Sequence, residues 1–142
     1  MGPAVDMASH SMLRPVRRPL VAVLAVCAAV SGCGGPSDSE QVHETVVAFQ
    51  KATAAKDYQR LCDRLLSPKL VQEVETQGIP CEVALKKGLG DVESPTLTIG
   101  RIEVDGDKAT AQVNTSAAGE APSRDTLQLT KVNGQWRIAS LA

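Results

Sequence analysis

The chain has 142 residues, with 15 Lys and Arg against 16 Asp and Glu, a net charge of −1. That balance supplies no basic surface for nucleic acid, and one Phe, one Tyr and one Trp are too few for base-stacking or sugar-stacking platforms. The length allows one small domain beside a targeting segment.

The first 32 residues read as that segment. Arg14, Arg17 and Arg18 precede an apolar run from Leu20 to Val30, and Val30-Ser31-Gly32-Cys33 closes it. A basic start, an apolar middle and small residues before a cut site are the parts of a secretory signal. A cysteine directly after the small residues makes the stretch look like a bacterial lipobox, at which Cys33 becomes the lipidated first residue. The run is too short for a helix crossing a hydrocarbon core, which needs about 20 residues. Residues 1–11 do not resemble a signal start, so Met7 or Met12 is an alternative initiator. The expected organisation is 1–32 signal peptide, 33–39 lipidated cysteine and short linker, and 40–142 folded domain. The expected location is the extracytoplasmic face of the cell membrane, with the lipid on Cys33 as the anchor. Extended, the linker Gly34-Gly35-Pro36-Ser37-Asp38 reaches less than about 20 Å at about 3.3–3.6 Å per residue.

Helical patterns follow. Ser37-Asp38-Ser39-Glu40 has the form of a capping box, and Val42, Val46, Phe49 and Thr53 recur at helical spacing. Asp57 opens a second helix with the stripe Tyr58, Leu61, Cys62 and Leu65. Ser67-Pro68 predicts a cap and a restart, with Leu70, Val71 and Val74 on the apolar side and Gly78 as the stop. Pro80-Cys81 begins a fourth helix carrying Ala84, Leu85 and Leu89. With Cys27 in the signal and Cys33 lipidated, Cys62 and Cys81 remain, and outside the cytoplasm they are expected to oxidise to a disulfide. Two buried free thiols are the alternative. A metal site is not expected, because two cysteines without a histidine pair do not complete a tetrahedron.

After Pro95 the period changes to two. Leu97 and Ile99 alternate in one parity and Ile102 and Val104 in the other, which predicts a bulge or bend across Gly100. Asp105-Gly106 and Asn133-Gly134 are hairpin signals. Ala109, Ala111 and Val113, then Leu127 and Leu129, then Trp136 and Ile138, mark the inner faces of three further strands. Helices first and an antiparallel sheet second predict an α+β fold, with helices packed on one face of a curved sheet of about four strands.

This order of elements, with the closing hairpin Leu127–Ile138 and the words Lys56-Asp57-Tyr58, Leu61-Cys62, Leu66-Ser67-Pro68 and Cys81-Glu82, resembles the nuclear transport factor 2-like superfamily and its cystatin-like cone. Within it, the chain is similar to lipoproteins of actinobacteria. The resemblance covers about residues 40–142. It implies the cone and leaves the activity open, since the same cone hosts isomerases, dehydratases and transport adaptors.

Enzymes of that superfamily use ionisable groups inside the cone. The inner faces as read above contain none: Lys131 is expected at the turn, and Arg101 and Glu103 outward past Gly100. His43 lies beside the apolar stripe of the first helix with no orienting partner in view. No catalytic residue, cofactor or metal is therefore expected. The expected function is non-enzymatic binding of a small apolar ligand or an envelope protein, with a homodimer through the sheet as one form of partner; the alternative is an isomerase- or dehydratase-like enzyme. The expected pocket lining is Phe49, Tyr58, Leu61, Leu65, Val113, Leu129, Trp136 and Ile138.

Overall fold

The structure, a computed structural model, describes residues 34–141. Residues 1–33, which include the expected signal segment, the expected lipobox and Cys33, lie outside the described residues. Gly34–Ala142 is one compact unit, and its core and its disulfide both lie inside it.

Helix α1 (Asp38–Ala54) begins where the capping pattern predicts. Ser37 Oγ accepts from the Glu40 N–H, and the Glu40 carboxylate accepts from the Ser37 N–H at 2.7 Å. Each bond satisfies a donor that a helix start would otherwise leave open. Val42 and Val46, four apart on one face, are fully buried against the sheet.

Helix α2 (Tyr58–Arg60) is capped by Asp57, whose side chain accepts from the Arg60 N–H at 3.0 Å. It continues as a π-helical turn over Leu61–Leu65, closed by the Leu66 N–H donating to the Leu61 carbonyl at 2.8 Å. The wider turn changes which residues face inward. Leu61, Cys62 and Leu65 are buried as the helical stripe predicts, and Leu66 and Ser67 are buried with them. The Ser67 N–H then donates to the Ile138 carbonyl at 2.7 Å, tying this segment to the last strand.

Helix α3 (Pro68–Glu75) has Ser67 as its cap and proline in its first turn. The chain turns at Gly78, whose φ of +80° is costly for any residue with a Cβ. Helix α4 (Cys81–Leu89) follows, and Cys81 is bonded to Cys62 with their Cα atoms 6.1 Å apart. The expected disulfide therefore joins the π turn to the start of α4.

Strands β1 (Thr96–Asp105), β2 (Lys108–Ser116), β3 (Ser123–Val132) and β4 (Gln135–Leu141) form one antiparallel sheet in the order β1-β2-β3-β4. Ile99 pairs with Val113 and Ile102 with Ala111, so Gly100 and Arg101 together oppose Gln112. This is the bulge expected from the parity switch, and it returns Ile102 to the inner face. In the second hairpin Asn133 and Gly134 both have positive φ, +50° and +77°, as a tight turn matched to strand twist requires. The first hairpin turns on Gly106-Asp107, with Asp105 paired to Lys108. The helices cover one face of the curved sheet, as expected for α+β.

A candidate ligand cavity at the open end of the cone

The helices do not fill the sheet's inner face evenly. Where β3 ends and β4 begins, α1 lies on the sheet, and Val42, Val46, Leu129, Trp136 and Ile138 close the core there. At the other end, where β1 begins, β2 ends and β3 begins, a cavity of about 440 Å³ remains. Its apolar wall comes from several elements: Phe49 on α1, Leu61 and Leu66 at the π turn, Leu70 on α3, Leu85 on α4 and Val113 on β2.

Of the expected lining residues, Phe49, Leu61 and Val113 face this cavity. The other five do not. Tyr58 packs in a side cluster with Ala52, Leu61 and Leu65, and borders a separate shallow hollow with Glu82 and Lys86. Leu65 is buried in that same cluster. Leu129, Trp136 and Ile138 are core at the closed end. Strand parity correctly assigns their face, but parity carries no information on depth along the cone. His43 is exposed on α1 and borders a different surface hollow.

The expectation that no ionisable group faces the cone is corrected. β3 continues its alternation upstream of Leu127, so Asp125 and Ser123 share the inner face; Val113 pairs with Asp125 and Thr115 with Ser123. Asp125 Oδ2 accepts from the Ser123 hydroxyl at 2.6 Å and from the Thr115 hydroxyl at 3.1 Å, and the two hydroxyl oxygens are 2.8 Å apart. Asp125 lines the cavity, as does Glu120 on the β2–β3 loop. Nearby, the Thr96 and Ser116 hydroxyls are hydrogen-bonded to each other at 2.6 Å. The signal for Asp125 was already in the sequence: two residues before Leu127 is the same face.

Lys131, on that same face of β3, is held elsewhere. Its ammonium pairs with Asp38 at the first turn of α1 and lies 5.2 Å from the centre of the Trp136 ring. Trp136 Nε1 donates to the same Asp38 oxygen at 3.3 Å. These two bonds hold the Asp38 carboxyl below its ordinary value, the Lys131 bond contributing most. Arg101 and Glu103 are exposed and face each other at 3.5 Å, as the bulge predicts. Among the described residues, no group of three His, Cys, Asp or Glu is placed to hold a metal ion, and no helix is long and apolar enough to cross a membrane.

A bent four-stranded meander with helices closing one end and a cavity at the other is a recognisable arrangement. The fold is nuclear transport factor 2-like. A protein of unknown function with this fold from Shewanella baltica superposes with a TM-score of 0.53 at 16% identity, over 75% of this chain and 94% of that one. A protein from Streptomyces avermitilis, titled a "putative dehydratase" of the same fold family, gives 0.51 at 21% identity over 73% and 92%. A de novo designed protein of this fold gives 0.51 at 16% identity over 75% and 87%. At these identities the likeness concerns the fold. A family model described as "Putative lumazine-binding" matches residues 84–142, from α4 through the sheet. Comparison with curated proteins finds no match.

Proposed function

We propose that this chain is a lipid-anchored protein of the cell envelope whose nuclear transport factor 2-like cone binds a small, largely apolar molecule. The observation that carries the binding role is the cavity of about 440 Å³, within the roughly 300–1,000 Å³ of small-molecule sites. Its wall is mostly hydrocarbon, so the ligand gains most of its affinity by leaving water, at about 25 cal/mol per Å² of apolar surface covered. The anchor is supported by the basic, apolar and small-residue order of residues 14–33, and the likeness to actinobacterial lipoproteins by Lys56-Asp57-Tyr58, Leu61-Cys62, Leu66-Ser67-Pro68 and Cys81-Glu82.

The binding role is tested by native mass spectrometry of residues 34–142, exported and gently purified. A discrete extra mass that leaves on activation is expected, and its value assigns the chemical class. A bare polypeptide, with no uptake of apolar molecules offered in solution, would move the function to the protein surface. There the open face of the sheet, with Thr98, Thr110, Gln112, Asn114 and Arg124 exposed, would meet an envelope protein or a second copy. Sedimentation of the same fragment distinguishes the second copy. For the anchor, Cys33→Ser is expected to move the protein from the membrane fraction to the soluble one, and retention would remove the lipid from this reading.

A second reading is favoured by a specific observation. Asp125 places a carboxylate in the cavity, the kind of group an isomerase or dehydratase of this fold would use as a base, and the Streptomyces avermitilis protein of this fold is described as a dehydratase. Turnover of a bound compound, lost in Asp125→Asn with binding retained, would establish it. The family-model match makes lumazine itself a compound to titrate.

A further inference from the structure

The mouth of the cavity is electrostatically one-sided. Its lining includes two carboxylates, Glu120 and Asp125, and no lysine, arginine or histidine. Asp125 is the one built into the sheet. It is half-buried, its strand neighbours fix its direction, and the Ser123 and Thr115 hydroxyls hold Oδ2. Those hydroxyls orient the carboxylate without neutralising it. No ion pair among the described residues includes Asp125 or Glu120, and none of the side-chain hydrogen bonds among those residues ends on Asp125 Oδ1.

A molecule entering the cavity strips water from this rim. Covering a carboxylate is costly unless the incoming group supplies a donor or a positive charge. A second anion there adds repulsion that a half-buried site screens less than open water does. We propose that the cavity selects amphiphiles with an apolar body and a hydrogen-bond-donating head, in the order ammonium, then hydroxyl, with carboxylate heads rejected. Asp125 is the specificity-determining residue and Glu120 adds to the field. The inference rests on the cavity being the ligand site, as proposed above, and adds the class of head group.

The test uses three probes of equal chain length, decylamine, decanol and decanoate, displacing the neutral dye Nile red from residues 34–142 at neutral pH. Decylamine is expected to displace the dye at about tenfold lower concentration than decanoate, the size of one charge-assisted hydrogen bond, with decanol between them. Asp125→Asn, which keeps the shape of the side chain, is expected to bring decylamine and decanoate within about threefold of each other and to leave decanol little changed. Glu120→Gln, on an exposed loop where folding is not at stake, is expected to move the ratio the same way by less. Equal displacement by the three probes, or an order indifferent to both substitutions, would overturn the head-group selection while the binding role stands. Failure of Nile red and every probe to bind the native protein would overturn both.

Discussion

Asp38 does several jobs from one position. As an acidic residue in the first turn of α1 it favours the helix dipole, and its Oδ1 also accepts from Lys131 and Trp136 on the closing hairpin. The contact therefore joins the first helix to the last two strands. Because the folded state holds the Asp38 carboxyl below its ordinary value of 3.8, its contribution to stability is present above that value. It is lost as pH falls below 3.8 through the folded value. An acid titration followed by Trp136 fluorescence is expected to show a transition in that range, removed in Asp38→Asn; an identical profile in the variant would separate Asp38 from the indole. Tyr58 illustrates the opposite case. Its hydroxyl is buried with no hydrogen-bond partner among the described residues, so it brings a desolvation cost and no bond. Tyr58→Phe is expected to leave stability unchanged or raise it by about 1 kcal/mol, measured by urea denaturation. A loss of more than that would mean that the hydroxyl has a partner in solution.

Among the elements, β1 depends most on a single irregularity. The two residues Gly100 and Arg101 stand opposite Gln112, and a Cβ on Gly100 would lie 3.3 Å from the Gln112 carbonyl oxygen. Removing one residue would restore a flat strand and turn one half of its apolar side chains, either Leu97 and Ile99 or Ile102 and Val104, away from the helices. Deletion of Gly100 is expected to abolish cooperative unfolding, whereas Gly100→Ala, in which a gain in chain entropy opposes the close approach to Gln112, is expected to change stability by no more than about 1 kcal/mol in either direction, both followed by circular dichroism in denaturant. If the deletion unfolds as cooperatively as the parent, the bulge does not set the register. The parity switch made this bulge legible, because a half-buried strand reports its face residue by residue. The π turn was not legible. Tyr58, Leu61, Cys62 and Leu65 suit an ordinary helical stripe, and the extra residue per turn serves to bring Leu66 and Ser67 onto the core and onto β4.

At the scale of the whole domain, the helices and the sheet meet through a modest core, and the disulfide reinforces its helical side. Cys62 and Cys81 are separated by 19 residues, a loop whose closure is worth about 3 kcal/mol in the chain-entropy account. Replacing both cysteines with alanine is expected to lower unfolding free energy by about that amount while keeping the fold, since the rest of the core cluster around the cysteines, with Val42, Val46 and Ile138 fully buried, is unchanged by the substitution. Equal urea midpoints for the variant and the oxidised parent would show that the bridge adds nothing. The same helical side forms the cavity wall through Leu61, Leu70 and Leu85, so the variant is also expected to bind Nile red more weakly.

The sequence by itself determined what local chemistry dictates. Caps, stops and turn residues set where the helices and hairpins begin and end. Period-two alternation set which face of each strand is inner, and the compartment expected from residues 14–33 pointed to the pairing of Cys62 with Cys81. Only the tertiary structure decided where along the cone the space lies. Leu129, Trp136 and Ile138 have the same inward parity as Val113, yet α1 packs over them and leaves the opposite end open. That choice depends on how far each helix reaches across the sheet, a quantity set by the packing of distant segments and carried by no local pattern. The same placement turns Asp125 from an ordinary strand residue into the carboxylate at the mouth of a cavity.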